Sequence, residues 1–242
     1  MSNRPFYSIT FGNKNTWDEW ALMPVKAGRI EFVTPEVKRE SAEVPGADGE
    51  LDMSEVLTGY PTYENRRGSF KFRFYNNGTP VRSRWHNLKN YLHGRTMRAV
   101  VEDDSEYYYE GRFMVGDLEW AKRGNWADTE ISYDVKPYKL EFATSTEDWL
   151  WDPFNFETGV IREYGGIEVN GETTVNVVGS RKPTVPKFIV TGGVLTLTFN
   201  EITYDLPVGN TVLPQITLMD EEYEMIFDGI GSVSIEFRGG CL

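Results

Sequence analysis

Cysteine is almost absent from this chain: of 242 residues only Cys241 carries a thiol. One thiol excludes an internal disulfide and a cysteine-built zinc site, so folding in a reducing compartment is expected. Its position next to last argues for a bystander rather than a nucleophile. Histidine is nearly as scarce, with only His86 and His93. Their seven-residue spacing sets them two helical turns apart, too far to share a zinc ion as i, i+4 partners do. Long apolar runs are missing as well. Nowhere do the roughly 18 unbroken apolar residues of a membrane span occur. The opening MSNRPFYSITF has one arginine and no apolar core, which is not a secretory signal. The expectation is a soluble protein made in the cytoplasm, with no membrane contact.

Catalytic signatures are equally thin. There is no G-x-S-x-G elbow, Walker loop or nucleotide-binding glycine fingerprint. VVGSRKP places a serine after a glycine but lacks the second glycine two residues on. The chain is acidic, with 37 Asp+Glu against 25 Lys+Arg and a net charge of −12. In such a chain EDD at 102–104 and DEE at 220–222 read as solvated turns rather than as a glycosidase pair. A hydrolase using Asp220 and Glu222 is the weakest reading. No enzyme, cofactor or resident metal is expected.

What is present is a core and many strands. Hydrophobic residues make up 40% and aromatics 14%, enough to bury a substantial interior. FKFRFY alternates Phe70, Phe72 and Phe74 with Lys71, Arg73 and Tyr75, giving one apolar and one polar face. ISYDVKPYKLEF does the same with Ile131, Tyr133 and Val135. YYYEGRFMVGDLEWAKRG reads as two strands joined near Gly116-Asp117, turning again at Gly124-Asn125, and RAVVED as a short strand. VRSRWHNLKNYLHG breaks the pattern: Trp85, Leu88 and Leu92 at i, i+3 and i+7 predict one helix over 81–93, capped by Gly94.

After a polar stretch around TSTEDWLWDPFNFETG, strands resume at the spacing of a sandwich or jelly roll. GIEVNGETTVNVVG predicts a hairpin about Asn170-Gly171, and KFIVTGGVLTLTFN another about Gly192-Gly193. EITYDLPVG, LPQITLMD, EYEMIF and SVSIEFRGG complete the set. Charge divides the same way: residues 1–143 hold 20 bases and 22 acids, residues 144–242 hold 5 and 15. We therefore expect two β domains, 1–143 with the helix and 144–242 carrying most of the negative charge.

Three stretches are candidates for function. VPGADGELDMSEVLTG (44–59) fails as an EF-hand: counting from Asp48, position 6 is Met53 and position 12 is Gly59. It otherwise reads as a long polar loop whose glycines permit positive φ. Trp149, Trp151, Phe154 and Phe156 in DWLWDPFNF either seal a junction between domains or form a shelf for sugar rings. Nine bases from Arg66 to Arg98 with no intervening acid suggest a solvated face or a protein contact. They lack the aromatic–basic signature of RNA binding.

Taken in order, several segments resemble the distal tail proteins of siphophages, the long-tailed phages with non-contractile tails, and of related prophages. The residues carrying the resemblance are VPGADGELDMSEVLTG with YENRRGSFKFRF, RWHNLKNYLHGR, YYYEGRFMVGDLEW with ISYDVKPYKL, KPTVPKFIVTGG, and the terminal SVSIEFRGGCL. The resemblance implies an N-terminal β-barrel or sandwich with one helix and a C-terminal galectin-like β-sandwich. It also implies a virion structural protein located in the tail. Six copies would form a homohexameric ring at the tail tip, joining the tail tube protein to baseplate or receptor-binding proteins while DNA passes through without sequence-specific contact.

In that setting 44–59 gains a role. Pro45, Gly46, Asp48 and Gly49 shape an arm whose Leu51, Met53, Val56 and Leu57 cannot be buried in their own domain but can be against a neighbour. Burying four such side chains contributes on the order of 6–8 kcal/mol gross. The rival reading is a carbohydrate-binding attachment protein stacking sugars on Trp149 and Trp151, or on Tyr204 and Tyr223.

Overall fold

The computed structural model describes residues 7–25, 30–122, 126–147 and 162–242. Strand-forming alternation dominates the first 139 residues. In chain order they form β1 (Ile9–Phe11), β2 (Lys14–Asn15), helix α1 (Thr16–Trp20), β3 (Leu22–Pro24), β4 (Ser41–Glu43) and β5 (Glu50–Asp52). There follow β6 (Arg66–Phe74), α2 (Val81–Leu92), β7 (Arg95–Val101), β8 (Tyr107–Val115), β9 (Glu119–Trp120) and β10 (Ala127–Val135). A short strand β11 (Lys139–Glu141) lies where this unit, Met1–Lys139, gives way to Leu140–Leu242.

The main sheet of the first unit runs β2-β1-β7-β8-β10-β6-β3, with β9 on β10, and its pairs are antiparallel. Its inner face carries Phe70, Phe72, Phe74, Phe113, Ile131, Tyr133 and Val135, all buried. This is the apolar set that the period of two selects. The Tyr133 hydroxyl accepts from the Val33 amide at 3.1 Å, and burial raises its pKa despite that bond.

Helix α2 covers this face. Leu88 and Leu92 are fully buried, while Trp85 and Tyr91 pack half-buried beside them. The indole of Trp85 donates to the Gly116 carbonyl at 3.0 Å, and the Tyr91 hydroxyl to that of Phe11 at 2.8 Å. Gly94 leaves the helix at φ +76°, where a side chain would be strained. A second helix, α1, joins the predicted one. Asn15 caps it by accepting from the Trp17 amide at 2.9 Å, and Ala21 closes it in the left-handed region.

The second unit contains β12 (Ile167–Asn170), β13 (Thr173–Val178), β14 (Lys187–Thr191), β15 (Leu195–Phe199), β16 (Ile202–Leu206), β17 (Gly209–Val212), β18 (Glu222–Glu236) and β19 (Gly240–Cys241). Neither expected glycine hairpin forms. β12 and β13 do not pair with each other; both pair with β18 in one unbroken register, Ile167 with Val233 through Val178 with Glu222. β14 and β15 lie in the same way along the other edge of β18, with one extra residue between them. EYEMIF and SVSIEF, expected as separate strands, are one 15-residue strand.

The reason lies in what the glycines do. They set a sharp bend without turning the chain back. Gly171 (φ +80°), Gly192 (φ +86°) and Gly229 (φ +134°) stand at one level of three neighbouring strands. The Gly171 amide donates to the Gly229 carbonyl at 2.7 Å, so the ladder crosses the bend intact. Phe188, Val190, Leu195, Leu197, Phe227, Val233 and Ile235 fill the core of this unit.

Candidate subunit-contact surface

The arm is the most exposed apolar segment of the first unit. β4 and β5 pair only with each other, as a hairpin apart from the main sheet. Gly46, Gly49 and Gly59 all have positive φ, and nothing lies within 4 Å of where their Cβ atoms would be. Pro45 and Asp48 are exposed at the hairpin tip. The apolar side chains stand largely in water: Leu51 is 57% exposed, Met53 40%, Val56 67% and Leu57 93%.

Local polar bonds rather than packing hold the arm's shape. The Glu40 amide donates to Ser54 Oγ at 2.9 Å, and the Ser54 amide donates to Asp52 Oδ1 at 2.9 Å. Ser41 donates to Glu50. The bonds from Ser54 hold the Asp52 carboxyl below the usual range, with Arg39 adding to the effect.

The outward face of the first sheet is polar and largely self-paired. Arg73 meets Asp128 through two hydrogen bonds of 2.8 and 3.0 Å, which raise the arginine's pKa. Lys71 pairs with Glu119, and Arg67 Nε donates to Asp134 at 2.9 Å. The bond from Arg67, joined by one from Asn65, lowers the Asp134 pKa. Beside them an open basin of about 410 Å³ is lined by Asn65, Thr96, Glu110, Arg112, Asp134 and Lys136. Lys136 reaches Glu110 at 2.5 Å and Arg112 donates to the Gly94 carbonyl, so these groups satisfy one another.

Inside, Arg84 on α2 is buried, and among the described residues no acid forms an ion pair with it. Its Nη1 donates to the Trp20 carbonyl at 2.7 Å, its guanidinium lies 5.3 Å from the Phe74 ring centre, and burial lowers its pKa. It ties α2 to the end of α1, a role the pattern of bases in the sequence could not reveal.

The remaining candidates disperse. His86 is exposed, and His93 Nδ1 sits 3.1 Å from the Val115 carbonyl. Residues 102–104 form a 3₁₀ turn whose Asp104 pairs with Lys139 at 2.8 Å, and Asp220, Glu221 and Glu222 are exposed. Among the described residues no three His, Cys, Asp or Glu side chains gather as a metal site. No described helix is long and apolar enough to cross a membrane. Tyr204 and Tyr223, offered as sugar-stacking groups, are half-buried against the second core. Trp149, Trp151, Phe154 and Phe156 lie outside the described residues, as does the Gly124-Asn125 turn.

No protein-family model matches the chain, and no curated protein matches it. Among solved structures it is similar to SPP1 Dit (gp 19.1), described as a paradigm of the hub adsorption apparatus in phages infecting Gram-positive hosts. The likeness has a TM-score of 0.57 at 13% sequence identity and covers 97% of this chain and 99% of that one. The mainly β fold expected from the sequence is therefore the fold of SPP1 Dit.

Proposed function

We propose that this chain is a structural hub of a phage or prophage tail, without catalysis. The observation that supports it is a fold likeness running through both units of the chain to the hub component SPP1 Dit. Six copies close a ring that joins the tail tube to tail-tip or baseplate proteins and leaves a channel for DNA. Residues 1–143 make the ring. The acidic remainder, 144–242, faces outward, where like charges on six copies are far apart and screened by salt.

The arm supplies the contact between copies. More than half of the surface of Leu51, Val56 and Leu57, and 40% of that of Met53, is still in water. Covering it on a neighbour contributes about 4–6 kcal/mol gross per subunit, before the costs of ordering. Each subunit gives one arm and receives one, the head-to-tail arrangement that closes a ring.

Electron microscopy of concentrated protein tests the reading. Six-fold particles with a central hole are the expected result, and particles that persist after deletion of residues 47–57 would remove the arm from it. Saturable binding on a glycan array, in a protein that never forms rings, would favour the attachment reading instead.

A further inference from the structure

Charge in the first unit is segregated along the sequence. From Glu40 to Glu64 there are seven acids and no base; from Asn65 to Val101 there are nine bases and no acid. The fold engages most of those bases. Arg66 and Arg84 are buried, Arg67, Lys71 and Arg73 have acidic partners, and Arg98 lies 4.6 Å from the Tyr108 ring centre. Arg82, Lys89 and Arg95 remain. Among the described residues none of these three makes an ion pair.

Two of them stand on a single helical stripe. Arg82, His86 and Lys89 follow one another at spacings of four and three, which line one face of α2 over about 10 Å, and His93 follows as the cap residue just past its end. No acid occurs on this helix. Lys89 rests on the ring of Trp85 at 4.8 Å, which holds its ammonium in place on the surface.

The arm has the opposite character, and only on one side. β4 and β5 pair Ser41 with Asp52, Ala42 with Leu51 and Glu43 with Glu50. Directly opposed residues share a face, and so do alternate ones. Ser41, Glu43, Glu50 and Asp52 therefore form one face, and Ala42 and Leu51 the other. Glu43 opposite Glu50 is a like-charge pair, which weakens a two-stranded ribbon. Among the described residues no lysine or arginine forms a salt bridge with either of them.

We propose that the acidic face of the β4–β5 arm lies along the α2 stripe of an adjacent copy of this chain, with Glu43 and Glu50 meeting Arg82 and Lys89. This rests on the reading of the chain as a ring former whose arm crosses to its neighbour, and it names where the arm lands. The contact joins two different surfaces, so it repeats around the ring without a two-fold axis. It also gives the repelling glutamates their cations only on assembly, so that charge complementarity sets register and selects the partner.

The test uses the full chain, with association followed by sedimentation and by mass measurement of single particles. Glu43→Lys with Glu50→Lys, and separately Arg82→Glu with Lys89→Glu, are each expected to weaken association at least about tenfold. All four changes together are expected to restore most of it. Glu43, Glu50 and Arg82 are exposed and Lys89 is half-buried against Trp85, so unchanged melting of each variant is required to show that folding is not the cause. As a second readout, Glu50→Cys and His86→Cys chains, both carrying Cys241→Ser, are expected to form a mixed conjugate with a short bis-maleimide.

The proposal is overturned if the helix reversal leaves association intact while deletion of 47–57 abolishes it; the arm then crosses but lands elsewhere. It is also overturned if the four-fold variant associates no better than either double variant. A further contrary result is binding of a DNA oligonucleotide to α2 that the helix reversal abolishes without changing association. If the arm deletion changes nothing, the arm drops out of the contact and the proposal falls while the ring reading stands; if the chain stays monomeric at every soluble concentration, the ring reading falls together with it.

Discussion

The bend in the second unit can be taken apart with three alanines. Gly171→Ala places a Cβ at φ +80° with nothing within 4 Å, so it reports backbone strain alone. Gly193→Ala has no positive φ, but its Cβ would lie 2.2 Å from the Ile230 carbonyl oxygen and reports overlap alone. Gly229→Ala combines both: φ is +134°, and the Cβ would lie 2.9 Å from both the Val194 carbonyl oxygen and Leu195 Cδ2. Strain of this kind costs about 1 kcal/mol at the open site. Overlap with backbone that must shift costs about 1–3 kcal/mol. Gly229→Ala should therefore lose about 3 kcal/mol. In a unit of this size that lowers the melting midpoint by roughly 12–20 °C. Scanning calorimetry of the full chain measures it, with the expected order Gly171 least, Gly193 intermediate and Gly229 most. The transition of the first unit should not move. Equal shifts for Gly171→Ala and Gly229→Ala, or a shift in both transitions, would refute the reasoning.

Three other outcomes are expected. Leu88→Ala on the fully buried face of α2 should cost the first unit about 2–5 kcal/mol, seen as an earlier denaturant midpoint. Val56→Asp with Leu57→Asp should leave monomer stability within about 0.5 kcal/mol by urea titration, because both side chains already stand in water; the same change should reduce ring formation. Asp134 has a folded pKa depressed by Arg67 and Asn65. Its contribution is complete above the unfolded carboxylate value of about 3.9 and is lost as pH falls through the lower folded value. Asp134→Asn should accordingly flatten the acid limb of a thermal stability profile.

Much of this architecture can be read from local pattern, and the failures have physical causes. Phe70, Phe72 and Phe74 alternate because only one face of β6 meets the core, so the signal sits within a few residues. Trp85, Leu88 and Leu92 with Gly94 mark α2 in the same self-contained way. Helix α1 has five residues, too few for a period to emerge, and its one strong mark is the Asn15 cap. Asn170-Gly171 and Gly192-Gly193 announce positive φ or close approach, but the dipeptides carry no information about which strand lies alongside. That partner is β18, with paired residues 60–66 positions later for β12 and 41–49 later for β14, and long-range pairing leaves no local trace. In the arm, glycine spacing announces a loop. The division into an acidic and an apolar face appears only once the register of Glu43 against Glu50 is known.

A single strand, β18, forms the middle of both halves of the second unit, flanked by β13 and β15 at one end and by β12 and β14 at the other. Tension applied to either half thus travels to the other through covalent bonds across residues 228–231. Side-chain contacts alone would let two stacked sheets slide apart under shear. Here the halves are expected to resist pulling jointly and to give way together, because one covalent strand belongs to both.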